Sequence, residues 1–285
     1  MKDSRSLQIN NFQSFAFKQA GEYARNKKII KALARFLCPV HYTRYRELPI
    51  TLDLLELNAQ DRVLDISSPK LFTLYCACKY KNQIYATDII NEPLEEAEFF
   101  KKKWSLNNLV VQKADARELP YEDNYFDKVF SVSVFEHIAP ANKGDYPAVL
   151  EFSRVLKPGG IAVLTLAFAN KYFEEYKKGT VYERESKKEE LNFFQRFYDE
   201  EKLDENILKP SGLEILDKIY IGEKIYNDSA GSILANYINS GRLQNMLFGH
   251  FQRLAAGLFL QESRELEKIR KPIIVCLKLK KSINN

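Results

Sequence analysis

Three aspartates, Asp65, Asp88 and Asp115, each follow a short apolar run of the chain. Each run is typical of a buried parallel strand, and the carboxyl ends of parallel strands meet along one edge of an open α/β sheet, where such folds bind ligands. Three carboxylates along that edge suit a ligand that offers an amino group, a ribose and a purine amine. The pattern therefore favours a nucleotide-like cofactor without phosphates.

Each aspartate also has a plain structural interpretation. Asp65 and Asp115 could each be the N-cap of the helix that follows, and Asp88 could be a turn residue at a strand end. The arrangement of all three favours a site over three separate caps.

The elements that must position these residues form an alternating pattern. Apolar runs and helical spacings predict βαβ units and a parallel sheet. The predicted strands are 63–66, 83–87, 109–112, 128–132 and 161–168, and the predicted helices between them are 71–80, 94–104 and 146–156. Pro158-Gly159-Gly160 is expected to stop the last helix and turn the chain into the fifth strand.

The flanking regions have a different character. The N-terminal part is expected to be helical, with apolar residues at helical spacing over 27–37, and 171–190 is expected to be an exposed helix and loop. A helix over 197–208, a strand over 213–222, a helical insert over 223–270 and an apolar last strand over 272–279 complete the prediction. This gives a helical cap over 1–50 and a main domain over 51–285, with cover segments 170–197 and 223–270.

An apolar stripe in the insert allows two interpretations. Its members, spaced as on one face of a helix, are Phe248, Phe251, Leu254 and Leu258. They could pack on the core, or they could form a lid over a substrate pocket.

Composition narrows the class of protein. The net charge is +5 over 285 residues, without a basic stripe interleaved with aromatic residues, so no nucleic-acid partner is expected. The four cysteines show neither a CxxC pair nor metal-ligand spacing, which favours reduced thiols and no metal. No signal-peptide pattern and no membrane span is recognised, so a cytoplasmic location is expected.

Four sequence blocks resemble the class I S-adenosylmethionine-dependent methyltransferases, in particular the type-11 group. The blocks are RVLDIS at 62–67, IYATDI at 84–89, KADARELPYEDNYFDKVFSVSVFEHI at 113–138 and RVLKPGGIAVLTL at 154–166. The resemblance covers about 45–222. It implies a Rossmann-like methyltransferase fold, α/β with a mostly parallel sheet and an antiparallel last strand, plus a helical N-terminal segment and a helical insert before that strand. It also implies S-adenosyl-L-methionine as the cofactor.

The resemblance also assigns roles to particular residues. Asp65 and the loop after it would hold the methionine part of the cofactor, Asp88 its ribose hydroxyls and Asp115 its adenine amine. The other positions that would contact the cofactor are Ile66, Ser67, Ser68, Ile89, Ala116, Ser131 and Val132. Glu136 and His137 would border the reacting methyl group, with His137 as the first candidate base and Glu136 as the second. A packed histidine is the plain alternative for His137.

The first loop departs from the family pattern. The family has a Gly-x-Gly turn after the first acid, whereas this chain has Ser67, Ser68 and Pro69 there. The two serine hydroxyls with Lys70 could replace the backbone contacts to the cofactor carboxylate. Alternatively, cofactor binding is weakened and the protein is a non-catalytic relative.

The resulting hypothesis is methyl transfer to an oxygen, nitrogen or carbon nucleophile of a small acceptor. That acceptor would lie under a cover made of 1–50, 170–197 and 223–270. Aromatic residues in this cover, which suit a partly apolar acceptor, are Tyr172, Phe173, Phe194, Phe197 and Tyr198. The alternative hypothesis is a methyltransferase-fold binding protein. A nicotinamide-dependent oxidoreductase is disfavoured because no GxGxxG follows the first strand. The oligomeric state is not readable from the sequence.

Overall fold

The computed structural model describes residues 2–182, 187, 189–224 and 249–283. The chain divides into two compact units, the first formed by 1–53 with 220–273 and the second by 54–219 with 274–285. Asp65, Asp88 and Asp115 all belong to the second unit.

The helices and strands follow one another in chain order. The N-terminal helices are α1 (Lys2–Arg25), α2 (Ile29–Leu37) and α3 (Arg44–Leu55). The alternating part consists of β1 (Arg62–Ile66), α4 (Lys70–Tyr80), β2 (Gln83–Asp88), α5 (Asn91–Trp104), β3 (Leu109–Lys113), β4 (Phe126–Val132), a 3₁₀ turn (Phe135–His137), α6 (Asp145–Arg154) and β5 (Leu156–Ala167). Beyond it lie β6 (Phe173–Lys178), β7 (Leu191–Phe197), α7 (Glu200–Leu203), a π-helical turn (Asp204–Leu208), α8 (Lys209–Ser211), β8 (Glu214–Glu223), α9 (Gly249–Phe259), β9 (Leu260–Ser263), a 3₁₀ turn (Leu266–Lys268) and β10 (Lys271–Lys280).

The sheet of the second unit has the strand order β3-β2-β1-β4-β5-β10-β8. The pairs β1–β2, β1–β4, β2–β3 and β4–β5 are parallel, and β10 runs antiparallel to β5. Val63, Leu64 and Ile66 of β1 are fully buried, as expected for a central strand covered on both faces. The predicted α/β fold with a mostly parallel sheet and an antiparallel last strand is confirmed.

The prediction of an exposed helix and loop over 171–190 is wrong. β6 and β7 form an antiparallel ribbon in which Phe173 lies opposite Phe197, with stacked ring centroids 4.3 Å apart. Cross-strand aromatic pairs stabilise such ribbons, and they outweigh the helix preference of the Lys and Glu residues between them. The helix predicted from residue 197 accordingly starts only at Glu200, where the Asp199 side chain accepts a hydrogen bond from Lys202 N.

The Pro158-Gly159-Gly160 segment also differs from its prediction as a turn. The helix before it ends at Arg154, and the segment lies inside β5. Gly159 has φ +77° and donates its N–H to Lys281 O at 2.8 Å. Glycine tolerates this backbone angle, so the strand bends here and continues.

In the first unit, the predicted helix over 27–37 is confirmed as α2. Pro49 lies inside α3. The last residues of β8 pair with β9, with Tyr220 opposite Ser263. Among the described residues, no helix combines the length and apolarity that a membrane crossing requires.

The apolar stripe of the insert is only partly described. Residues 225–248, including Phe248, lie outside the described residues. Phe251, Leu254 and Leu258 lie on α9 and are 64%, 60% and 56% exposed. For these three residues the interpretation as packed core is therefore wrong.

Candidate active site

The register of the parallel strands brings the three aspartates to one edge of the sheet. Asp65 precedes the last residue of β1, Asp88 ends β2, and Asp115 follows β3 by two residues. Ser67 N donates to Thr87 O at 3.0 Å, and Ala114 N donates to Asp88 O at 3.0 Å, so the chain segments that leave the three strands remain neighbours. The juxtaposition inferred from the sequence is present.

Each aspartate also fixes the loop that follows it. Asp65 Oδ1 accepts from Ser68 N at 2.9 Å, Asp88 Oδ1 from Ile90 N at 3.1 Å, and Asp115 Oδ1 from Arg117 N at 2.9 Å. The local interpretation is therefore correct in that each carboxylate holds a turn, but the prediction that Asp65 caps the next helix is wrong, because α4 begins after Pro69 without a side-chain cap. Holding a turn does not exclude a ligand, because a carboxylate has about four acceptor positions.

A buried lysine lies between two of the aspartates. Lys70, at the start of α4, has an ammonium group 3.4 Å from Asp65 Oδ2 and 3.5 Å from Asp88 Oδ2. The same ammonium donates to Thr87 O at 3.2 Å, and Thr73 Oγ1 donates to Asp65 Oδ2 at 2.5 Å. Burial raises the pKa of Asp88, and the Lys70 charge opposes that rise. The three donors of Lys70 thus face acceptors of the protein itself.

Asp115 forms an ion pair with Arg117, a residue two positions further along the chain. Arg117 Nη2 lies 2.6 Å from Asp115 Oδ2, and Arg117 Nε lies 3.0 Å from Asp115 Oδ1. These hydrogen bonds hold the pKa of Asp115 below its usual range. Asp115 is only partly buried, so its carboxylate remains accessible from solvent.

The glycine-free loop keeps a left-handed turn. Ser67 has φ +57°, in the left-handed region that glycine adopts more easily. Ser68 is buried, and its Oγ accepts from Val132 N at 3.0 Å, while Ser131 Oγ donates to Ile66 O at 2.8 Å. The loop is therefore held by hydroxyl groups against the end of β4.

Glu136 and His137 lie in the 3₁₀ turn after β4. Glu136 is buried, and its Oε1 accepts from Ala167 N at 3.2 Å. His137 is half-buried, and its Nδ1 lies 2.9 Å from Phe194 O. The Tyr182 hydroxyl lies 3.0 Å from the same nitrogen and can either donate or accept. The carbonyl oxygen can only accept, so its contact favours a proton on Nδ1 of the neutral ring, with Nε2 as the nitrogen able to take one up.

The segment that carries these two residues is anchored by Arg196 of β7. Its guanidinium group is fully buried and donates to Phe135 O at 3.0 Å and Ile138 O at 2.9 Å. It also donates to Pro140 O at 2.8 Å and Ala141 O at 3.1 Å. The His137 ring packs beside two aromatic rings, with its centroid 5.1 Å from those of both Tyr182 and Phe194.

The predicted site residues thus form two groups. Residues of the first group are linked through the contacts around β1, β2 and β4, and they are Asp65, Ile66, Ser67, Ser68, Asp88, Ser131 and Val132. The second group consists of Glu136 and His137, which form hydrogen bonds to β5 and β7. Three further predicted residues lie next to the first group: Asp115 and Ala116 follow β3, and Ile89, which follows β2, is 48% exposed.

Sequence reasoning missed Arg117 and Arg196, and it gave Lys70 a different role. The spacing of Asp65 and Lys70 around a helix start was the available signal for an internal ion pair.

The site has acceptor positions that suit the ribose of S-adenosylmethionine, but the charges of its two buried aspartates are already paired with Lys70. Asp88 accepts from two donors of the protein, which leaves acceptor positions for a ribose diol, and the turn at Ser67 keeps the backbone path of a glycine loop. The ammonium group of Lys70 already neutralises part of the negative charge of Asp65 and Asp88, which a cationic ligand would otherwise do. No group of three or more potential metal-ligating residues occurs in the described parts of the chain.

Comparisons with known proteins agree with this architecture. The family model described as "Methyltransferase domain" matches residues 64–164. An uncharacterised methyltransferase of Bacillus subtilis (strain 168) is 28% identical over 123 residues, which cover 43% of this chain and 47% of the relative. The sterol 24-C-methyltransferase of Pneumocystis carinii (strain B80) is 36% identical over 83 residues, 28% of this chain and 21% of the relative. The chain thus spans less than half the length of these curated relatives.

Solved structures share the fold at low sequence identity. The [4+2]-cyclase SpnF has a TM-score of 0.55 and 17% identity, with 93% of this chain and 95% of that chain covered. A Haemonchus contortus phosphoethanolamine N-methyltransferase 2 in complex with S-adenosyl-L-methionine has a TM-score of 0.52 and 18% identity, with 82% of this chain and 52% of that chain covered. The family match, the sequence blocks and the Rossmann-like topology agree, so residues 64–164 correspond to a methyltransferase domain within this sheet.

Proposed function

We propose that this protein binds S-adenosylmethionine at the acidic strand tips and transfers a methyl group to an oxygen, nitrogen or carbon nucleophile of a small, partly apolar acceptor. The observation that carries the proposal is the buried pair Asp65 and Asp88 at adjacent strand ends of a matched methyltransferase domain. The cofactor would supply an activated methyl group on a sulfonium. A cytoplasmic location remains part of the proposal.

In this proposal Asp88 accepts the ribose hydroxyl groups and Asp65 holds the amino group of the cofactor. Asp115 and the Ala116 N–H face the adenine, and the remaining contacts come from Ile66, Ser67, Ser68, Ile89, Ser131 and Val132. Carboxylates suit these positions because charged acceptors make the stronger hydrogen bonds.

The acceptor would lie near His137, where the described surroundings are aromatic. Tyr182 and Phe194 are stacked with centroids 5.7 Å apart, beside the His137 ring. Such a wall suits an apolar portion of the acceptor. A sterol 24-C-methyltransferase among the relatives agrees with an apolar acceptor by its name, over the 28% of this chain that matches it.

Asp88→Asn should weaken the binding of S-adenosylhomocysteine about 10- to 100-fold, because a hydrogen bond to a charged group contributes about 1.5–3 kcal/mol. Isothermal titration calorimetry measures the two dissociation constants. Asp127→Asn is a matched control, since Asp127 accepts from Arg62 N at the opposite end of β1 and should leave binding unchanged. If the wild-type protein fails to bind either S-adenosylmethionine or S-adenosylhomocysteine, a non-catalytic binding protein of the same fold replaces this proposal.

His137→Asn should lower turnover about 100-fold, within the range for loss of a general base. Asparagine can still donate to Phe194 O, so the loop contact is kept while the proton acceptor is removed. Formation of S-adenosylhomocysteine in an acceptor screen gives the rate, and calorimetry should show unchanged cofactor affinity. Full turnover in this variant would remove the assignment, and Glu136, which is more deeply buried, would be tested next.

A further inference from the structure

Helix α2 of the first unit exposes its large apolar side chains. Ile29, Ile30, Leu33 and Phe36 are 61%, 85%, 50% and 53% exposed, while the small residue Ala32 is buried. Their spacing places them along one stripe of the helix. A contiguous apolar stripe on the surface marks an interaction site more often than single exposed residues do.

The stripe lies within a strongly basic stretch. Residues 23–46 contain no Asp or Glu, and the cations are Arg25, Lys27, Lys28, Lys31, Arg35, Arg44 and Arg46. Lys27, Lys28 and Lys31 are exposed around the start of the helix. A short helix with basic residues beside a large apolar stripe has the character of helices that lie in the interface of an anionic membrane.

A second helix with exposed apolar residues, α9, abuts the end of α2 within the same unit. The backbone of Gly249, at the start of α9, abuts Leu37 and Cys38 at the end of α2, so closely that a Cβ on Gly249 would lie 1.9 Å from Leu37 O. Gln252 Oε1 accepts from Tyr42 N at 2.7 Å and fixes α9 to the same turn. The exposed residues of α9 are Phe251, Leu254 and Leu258.

We propose that the exposed face of α2, continued by α9, docks on the surface of a bilayer that contains anionic phospholipids. The apolar residues would enter the boundary between head groups and acyl chains, and the lysines would meet the lipid phosphates. A nucleic acid would use the cations, but it would leave the Ile and Leu side chains in water. The combination therefore favours a lipid surface, and this inference is independent of the proposed methyl transfer.

Co-sedimentation with vesicles tests the inference on the full chain. Vesicles of phosphatidylcholine with about 30% phosphatidylglycerol should bind at least about tenfold more protein than vesicles of phosphatidylcholine alone. The Ile30→Ser/Leu33→Ser variant should bind these vesicles about tenfold more weakly or less, because two exposed apolar side chains no longer partition. Lys27→Gln/Lys28→Gln should lose about fivefold per charge, and added salt should reduce wild-type binding.

Leu191→Ser is the matched control, because Leu191 is 63% exposed on β7 of the other unit, and it should bind vesicles as the wild type does. Unchanged thermal melting of the variants would show that they are folded. The inference is overturned if the wild type binds neither vesicle type, if Ile30→Ser/Leu33→Ser binds as the wild type does, or if binding is the same with and without phosphatidylglycerol. A change of oligomeric state in that double variant without vesicle binding would show instead that a second copy of the chain covers α2.

Discussion

Lys70→Met is expected to lower the free energy of unfolding by about 3–5 kcal/mol, the cost of leaving a buried ion cluster without its partner. The Lys70 side chain is 1% exposed, and those of Asp65 and Asp88 are 0% and 6% exposed, so water cannot replace the lost ammonium. Methionine has a similar length and is apolar, so the loss reports on charge more than on packing. Urea unfolding followed by circular dichroism measures the difference.

The stability lost in Lys70→Met should be smaller at acidic pH than at neutral pH. Burial already raises the pKa of Asp88, and removal of the Lys70 charge raises it further. A carboxyl whose folded pKa exceeds its unfolded value stabilises the fold below the unfolded pKa, and that stabilisation is lost as the pH rises through the folded pKa. The deficit of Lys70→Met should therefore shrink when the pH falls from neutral to about 5.

Lys79→Met is the control on the same helix, since Lys79 is exposed and donates to Tyr75 OH at 3.0 Å. It should change stability by less than about 1 kcal/mol. A Lys70→Met variant within the same limit would show that its ammonium does not compensate the two carboxylates. In that case the two acids would be held by Thr73, Ser68 and Ile90 alone.

The same variant connects the ion cluster to the proposed cofactor. S-adenosylmethionine carries an extra positive charge on its sulfonium relative to S-adenosylhomocysteine. If it binds beside Asp65 and Asp88, it should raise the melting temperature of Lys70→Met more than that of the wild type, because its cations replace the missing ammonium. The excess should be smaller with S-adenosylhomocysteine.

The sequence predicted those parts of the fold that depend on local pattern. Apolar runs ending in Asp65, Asp88 and Asp115 predicted that the three carboxylates share one sheet edge, because the carboxyl ends of parallel strands lie along the same edge. The helix at 29–37 was predicted by spacing alone. The surface against which the apolar face of that helix packs could not be predicted, because residue spacing identifies an apolar face but not what contacts it.

The parts that escaped prediction depend on contacts between distant segments. The contact of Lys70 with Asp88 requires the register of β1 against β2, which the composition of the loop does not contain. The ribbon of β6 and β7 requires the pairing of Phe173 with Phe197, 24 positions apart in a Lys- and Glu-rich stretch. Arg196 was missed because arginine is seldom fully buried, and the sequence around it contains no pattern that predicts a buried arginine.

Arg196→Met is expected to cost about 3–5 kcal/mol of unfolding free energy, because Asp145 loses a buried partner. The two side chains are both 0% exposed and lie 3.5 Å apart, and Tyr198 donates its hydroxyl to the same Asp145 oxygen. Four carbonyl groups between Phe135 and Ala141 also lose their donor. Chemical unfolding at neutral pH measures the loss.

Two further variants separate the charge from the hydrogen bonds. Arg196→Met/Asp145→Asn removes the uncompensated charge but still leaves the carbonyls without a donor, so it should recover only part of the lost stability. Arg196→Lys keeps the charge, but an ammonium lacks the planar fork that reaches all four carbonyls, so it too should remain below the wild type. Full recovery in the double variant would mean that the carbonyls find other donors. Arg196 would then act on Asp145 alone, and the position of His137 would depend on its bond to Phe194 O.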